Sequence, residues 1–370
     1  MSWFDEHIPR HVRNLDVYQP GKPIEELERE LGISGALKVA SNENPLGPSP
    51  AAVAAVGNAL ETLHLYPDAA GFAVRRALAA KFGLAENQFS LGNGSNDLLY
   101  QLVLATCDPE DEVLSHRLAF LSYRLSAQVA GRPFITSDVT SDLAIDVDAL
   151  LAKISPRTKL VVLGTPNNPT GSVVTQAQAE RVLAALPARA LLVIDEAYAE
   201  YAEAWPEVDH ARGFELLRRD RRVIVLRTFS KIYGLAGIRV GYAAGDPAVL
   251  DVLGRVGRTF HVSSLAQVAA IAALGDDAHL HASATHARRC IEQLRAEVKG
   301  PGVRTFPSLT NFMLIDVGRP GGPVYDALLR KGVIVRPMAA WGLPTAIRVS
   351  VARTEDMPRV ISTLNDVLAG

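Results

Sequence analysis

The chain has 370 residues, 48% of them apolar and 21% charged, with a formal net charge of −2. That composition fits a soluble globular protein rather than a disordered or fibrous one, and the length exceeds what one hydrophobic core fills, so two domains are expected. The nearly balanced, well-mixed charge gives no basic face and argues against a nucleic-acid partner, and no apolar run is long enough to span a membrane.

The N-terminal stretch MSWFDEHIPRHVRNL has no apolar segment behind its charges, so no signal peptide is expected and the protein reads as cytoplasmic. The segment up to about Ala40 is too short to fold alone and should join a later domain. Gly92 to Asp97 (GNGSND) opens an apolar helical stretch, LLYQLVLA. Free backbone N–H groups and the helix dipole make such a start a phosphate site. Asp97 stands where a dinucleotide fingerprint has its third glycine, and no Walker pattern is present. Ser95 or Asn96 could equally cap the helix.

Further on, a strand around Glu112 to Leu114 precedes Phe120 and Tyr123, aromatics suited either to a core or to stacking on a planar ring. Lys159 to Leu163 is an apolar strand running into GTPNNPTG, where Asn168 sits between stiffening prolines, either as a ligand donor or as part of a plain turn. Gln176 to Leu186 shows helical spacing, and Leu191 to Ile194 is a second strand, so the three form a βαβ unit with an expected right-handed crossover. Asp195 ends that strand. It could cap the following turn, or face a pyridine nitrogen and keep it protonated so that the ring serves as an electron sink; Tyr198 could then bond the ring's oxygen.

Val223 to Leu226 leads into RTFSKIYGLAGIRVGY. Lys231 there is close in sequence to Thr228, Ser230 and Arg239. A lysine that forms an imine must spend time deprotonated, which burial and neighbouring cations promote. The hydroxyls and Arg239 suit a phosphate, and Gly234, Gly237 and Gly241 permit close backbone approach. A lone lysine in a glycine-rich loop would read as a surface residue; this arrangement of partners argues otherwise. Since the reactive residues all follow strand ends, one crevice outside the carboxyl ends of a parallel sheet should gather them.

The C-terminal third changes character. Helices over 265–274 and 282–298 precede a strand at 311–316, a helix at 324–331 and strands at 333–335 and 347–351, as in a smaller α+β domain. The expected division is a large α/β domain of mostly parallel sheet over 45–270, and a small α+β domain of 1–44 with 271–370. His279, His281 and His286 are expected to face solvent, with no metal pattern among the nine histidines. His261, just beyond the lysine segment, is less easily set aside. Cys107 and Cys290 read as reduced core thiols.

The motifs YQPGKPIEELERELG, SNENPLGPSP, YPD, LGNGSNDLL, PNNPTG, IDEAYAEY, RTFSKIYGLAGIRVGY, GVIVRPM and LPTAIRVSV, in this order across nearly the whole chain, resemble those of fold-type I aminotransferases. Within them they are similar to the histidinol-phosphate aminotransferase family. The resemblance implies pyridoxal 5′-phosphate as cofactor and transfer of an amino group between L-histidinol phosphate and 2-oxoglutarate. It makes Lys231 the Schiff-base lysine, with Asp195 on the pyridine nitrogen, Asn168 and Tyr198 on the 3-oxygen, and Phe120 stacked on the ring. Ser95, Asn96, Thr228, Ser230 and Arg239 would hold the phosphate, joined by Tyr66 from the partner subunit of a homodimer. Arg348 would grip the α-carboxylate, Tyr18 of the other subunit and Arg336 the substrate's distal phosphate, and Asn44 would line the substrate pocket. The pattern departs from the family at Ala69, Ala119, His261, Ser263 and Ala352, none of which removes a catalytic group. An aromatic amino-acid aminotransferase is the nearest alternative. Decarboxylation of an amino-acid phosphate comes next, and a cofactor-sensing regulator lacks room for a DNA-binding module.

Overall fold

The three apolar strands expected from the sequence form the middle of a seven-stranded sheet. In the computed structural model, which describes residues 3–13, 15 and 21–370, its strands are Phe89–Gly92 (β1), Glu112–His116 (β2), Phe134–Ser137 (β3), Thr158–Gly164 (β4), Leu191–Asp195 (β5), Val223–Thr228 (β6) and Gly241–Ala244 (β7). Their order is β1-β7-β6-β5-β4-β2-β3. β7 alone runs against its neighbours; every other pair is parallel.

Alternation along these strands builds a core on each face. Val161, Leu163, Leu192, Ile194, Val223 and Val225 enter one apolar cluster, while Leu160, Val162, Leu191, Val193, Ile224 and Leu226 enter the other. Both faces are therefore covered, which is why the strands read as continuous apolar runs rather than as an alternating pattern. The helix Gln176–Ala185 returns the chain from β4 to β5; its start is fixed by Thr175 and Gln178, whose side chains reciprocally accept from each other's backbone N–H.

A second sheet lies in the C-terminal third. Arg336–Pro337, Ala346–Ser350, Phe312–Asp316 and Arg304–Thr305 form it in that order, all antiparallel. Leu37–Lys38 pairs in parallel with Val333–Ile334, so the N-terminal segment is tied to this C-terminal part. Among the described residues no helix is long and apolar enough to cross a membrane.

Behind the carboxyl ends of β5 and β6 lies a buried charge cluster. Arg227 donates from Nε to Glu196 at 2.8 Å and from an Nη to Glu200 at 3.1 Å. Its guanidinium lies 5.3 and 5.0 Å from the ring centroids of Phe82 and Phe214, which stack on each other at 4.3 Å. Glu196 also accepts from the Gly213 N–H. Burial pushes the Glu200 carboxyl up to about 7, against the pull of Arg227. Arg227→Met keeps the volume but leaves two buried carboxylates without their cation. The expected loss is about 3–5 kcal/mol in denaturant unfolding. A loss below ~1 kcal/mol would mean the carboxylates find other partners.

Candidate active site

The ends of β2, β4, β5 and β6 open on one cleft, closed from the other side by residues 40–42 and by the antiparallel sheet. Lys231, Asp195, Tyr198, Asn168, Phe120, Ser95, Asn96, Thr228, Ser230, Arg239, Arg336 and Arg348, all singled out from the sequence, line it together.

Lys231 is held from below by a glycine contact. Gly234 has φ +67°, and a Cβ on it would lie 2.2 Å from the Gly47 carbonyl oxygen, so the loop packs directly on the backbone of 47–48. Lys231 Nζ donates to the Ser41 carbonyl at 3.3 Å. Removal from water lowers its pKa to about 8, reinforced by the Arg348 and Arg239 cations and opposed by Glu43 and Asp195. The amine is thus much closer to its nucleophilic form at neutral pH than an exposed lysine.

Asp195 is buried at the end of β5. Its Oδ1 accepts from the Ala197 N–H at 3.1 Å, and its Oδ2 accepts from the Tyr123 hydroxyl at 2.8 Å. The carboxylate shapes the turn and also lines the cleft. Burial raises its pKa to about 6, with the bonds from Tyr123 and Ala197 opposing. The Tyr123 phenol is held well above its usual range by burial and by Asp195, so it is a fixed donor. Of the two aromatics considered for stacking, Tyr123 is thereby committed to Asp195. Phe120 remains for the cleft wall, edge-on to Tyr123 at 5.9 Å.

Arg348 donates to Asn168 Oδ1 and, at 2.7 Å, to the Ala40 carbonyl. With its oxygen taken, the Asn168 amide has its NH₂ to offer elsewhere. Arg336 is the register partner of Arg348 on the neighbouring strand, and its guanidinium lies 5.5 Å from the centre of the Trp341 ring. Two guanidinium-bearing residues thus stand side by side opposite Lys231.

A polar cup forms at the start of the helix Ser95–Thr106. Its cap is Gly94, with no side-chain bond to the first turn, so Ser95 and Asn96 are not the caps. Asp97 instead accepts from the Asn93 N–H and from Gln101. Arg239 comes within 3.3 Å of Ser230 Oγ, and a Cβ on Gly94 would lie 2.7 Å from its guanidinium. A helix N-terminus, hydroxyls and a guanidinium converging on one point fit a phosphate, and the neighbouring Asp195, Phe120 and Lys231 fit the ring and aldehyde of pyridoxal phosphate. Among the described residues no group of three or more His, Cys, Asp or Glu side chains could hold a metal.

Some expectations need correction. Asn44 does not reach the cleft: its amide donates to the Ile232 carbonyl at 2.7 Å and to Ser283 Oγ at 2.9 Å, stapling the lysine loop from behind. Tyr66 needs none: it lies outside this chain's own cleft, 83% exposed and stacked on Phe260 at 4.7 Å, and the expectation had placed it at the partner's. Tyr18 lies outside the described residues. Gly237 has open space at its Cβ position and needs no glycine for packing. His279 and His286 are half-buried, each with a ring nitrogen on a backbone carbonyl, that of Gly47 or Ala352; only His281 is exposed. His261 bridges the Leu91 and Arg258 carbonyls, away from the cleft. Cys107 and Cys290 are free and buried, as expected. Sequence reasoning missed Asn42, Trp341 and the carbonyls of Ala40 and Ser41, none of which follows a strand end of the main sheet.

The family model of class I and II aminotransferases matches residues 34–364. A histidinol-phosphate aminotransferase of an Anaeromyxobacter species is 43% identical, covering 98% of this chain and 99% of that protein. Histidinol-phosphate aminotransferase 2 of Pseudomonas aeruginosa is 44% identical over 97% of this chain and 96% of its own length. Among solved structures, the histidinol-phosphate aminotransferase of Sinorhizobium meliloti in complex with pyridoxal 5′-phosphate superposes with a TM-score of 0.87 at 29% identity, covering 98% of this chain and 97% of that one.

The lowered pKa of Lys231 is directly measurable. In the apoprotein, trapping of Lys231 by a small aldehyde and borohydride, mapped by peptide mass, should rise with pH to a midpoint near 8, because only the neutral amine attacks. A midpoint near the ordinary 10.5 would show that the cleft does not destabilise the ammonium.

Proposed function

The chain belongs to the class I and II aminotransferases and, within them, to the histidinol-phosphate aminotransferases; from that premise we propose that it moves an amino group between L-histidinol phosphate and 2-oxoglutarate in a two-stage cycle, with pyridoxal 5′-phosphate held on Lys231. The observation that carries the proposal is the placement of Lys231, with its lowered pKa, opposite Arg336 and Arg348 in one cleft. An amine nucleophile and two anion-binding groups suit substrates that bear an amino or oxo carbon between a carboxylate or phosphate and a side chain.

When bound, the cofactor supplies an aldehyde for imine formation and a ring that withdraws electrons from the substrate's α-carbon. The protein does the rest. Lys231 Nζ would take the proton from that carbon and return it to the former aldehyde carbon. Asp195, fixed by Tyr123, holds a proton on the ring nitrogen. The Asn168 NH₂, oriented by Arg348 on its oxygen, and the Tyr198 hydroxyl bind the 3-oxygen. Phe120 walls the ring. Ser95, Asn96, Thr228, Ser230 and Arg239 hold the phosphate. Arg348 takes the α-carboxylate of glutamate, and Arg336 takes the phosphate of histidinol phosphate or the distal carboxylate of 2-oxoglutarate.

The active unit is a homodimer in this reading. Tyr66 and the exposed Leu60, Leu63, Leu65 and Phe72 form an apolar surface of the kind covered by a second subunit, and Tyr66 and Tyr18 would serve the partner's cleft. The large domain runs over 45–270, and the small one comprises 1–44 with 271–370. Two free buried thiols are in keeping with a reducing cytoplasm. The aromatic wall made by Phe120 and Trp341 favours a second reading, an aromatic amino-acid aminotransferase.

Comparison of kcat/KM for L-histidinol phosphate and phenylalanine, with 2-oxoglutarate as acceptor, separates the two; the proposal expects a strong preference for the phosphate. Arg336→Ala should then lower kcat/KM for histidinol phosphate by about 10–100-fold, the loss of one charged hydrogen bond, and phenylalanine much less. Equal losses would remove Arg336 from phosphate recognition. Lys231→Ala should abolish multiple turnovers and the visible absorbance of the loaded protein, and retention of both would refute its role. Arg239→Ala should weaken cofactor retention by about 10–100-fold in equilibrium dialysis; unchanged retention would mean the guanidinium serves something else.

A further inference from the structure

Asn42 sits in the cleft without a role in the scheme above. It is buried, in the left-handed backbone region at φ 56°, and fully engaged. Its Nδ2 donates to the Tyr198 hydroxyl oxygen at 2.8 Å. Its Oδ1 accepts from Ser350 Oγ at 2.9 Å, and its own N–H donates back to the same oxygen at 2.9 Å. Asn311 Nδ2 donates to its carbonyl at 3.0 Å. Asn42 is thereby held on three sides by the antiparallel sheet and its flanking loop, while its amide reaches across to a residue that follows β5.

The direction of that bond matters. Ser350 on Oδ1 leaves the NH₂ end of the amide for Tyr198. A phenol whose oxygen already accepts a hydrogen bond places its own proton elsewhere and becomes a stronger donor, because hydrogen bonds in a chain polarise one another. We propose that Asn42 is a positioning residue, whose amide orients the Tyr198 hydroxyl so that the phenol proton is presented to the 3-oxygen of the bound cofactor. The inference rests on the cofactor reading above. Through that bond, the sheet that carries Arg348 also sets how firmly the ring oxygen shares the proton with Lys231 Nζ.

The readout is the visible absorbance of the loaded protein as a function of pH, not its turnover. A donor on the 3-oxygen draws electron density from it and loosens the shared proton, so weakening that donor raises the pH midpoint. Asn42→Gly removes the amide while keeping the left-handed backbone and the N–H to Ser350. The midpoint should rise by roughly 0.3–1 pH unit. In a Tyr198→Phe background the same change should add nothing, since Asn42 acts only through the phenol. Ser350→Ala, which frees the Asn42 amide without emptying its site, should shift the midpoint in the same direction by less, and serves if the glycine variant does not fold. An unmoved midpoint in both variants, or an equal shift with and without the Tyr198 hydroxyl, overturns the role. A native protein that takes up no cofactor, and so shows no visible band on loading, would instead overturn the cofactor reading itself.

Discussion

A guanidinium taken out of water persists only where carboxylates and ring faces replace its lost solvation. At Arg227 these come from Glu196, Glu200, Phe82 and Phe214. The positions in sequence give the cluster its importance: Glu196 follows Asp195, and Arg227 precedes Thr228. Pairing the two buried charges therefore fixes the ends of β5 and β6 against each other, where Asp195 is the register partner of Leu226. Asp195 and the loop that carries the lysine are held by electrostatics on the far side of the sheet from the cleft.

The opposite wall is organised by backbone. Three successive residues each meet a different functional side chain: Ala40 accepts from Arg348, Ser41 accepts from Lys231, and Asn42 donates to Tyr198. The strap is itself anchored to the antiparallel sheet, because the Ser350 N–H donates to the Val39 carbonyl at 2.8 Å. Carbonyls that would otherwise be unsatisfied on burial thus serve as fixed acceptors for two cations. Arg348 adds a further link, since its contact with Asn168 connects the strap to the loop after β4.

The sheet was legible in the sequence because strands covered on both faces are apolar throughout, and because reactive residues directly after such strands point to one crevice. That rule found Asp195, Asn168 and Lys231. It was silent about Asn42 and Trp341, which are brought in by long-range packing: the bond from Asn42 to Tyr198 spans 156 positions and leaves no local period to detect. Asn44 was placed wrongly for a related reason. Its motif locates the backbone near the site, yet the direction of its amide depends on Ile232 and Ser283, which are remote in sequence. The helix start at Ser95 was found while its cap was not, since Gly94 does that work with φ 93° and no side chain at all. His279 and His286 read as solvated because their acceptors are distant carbonyls, which no side-chain pattern reveals.

The packing of Gly234 on the Gly47 carbonyl has a bearing on how this scaffold can be altered. Two segments far apart in the chain share a single backbone contact beneath the lysine, so neither can be diversified alone without lifting the other. A library aimed at new substrates would hold 44–48 and 231–234 constant and spend its variation on Trp341. That side chain shapes the cleft wall beside Arg336 and carries none of its hydrogen-bonded supports, so retailoring there changes what fits without disturbing what reacts.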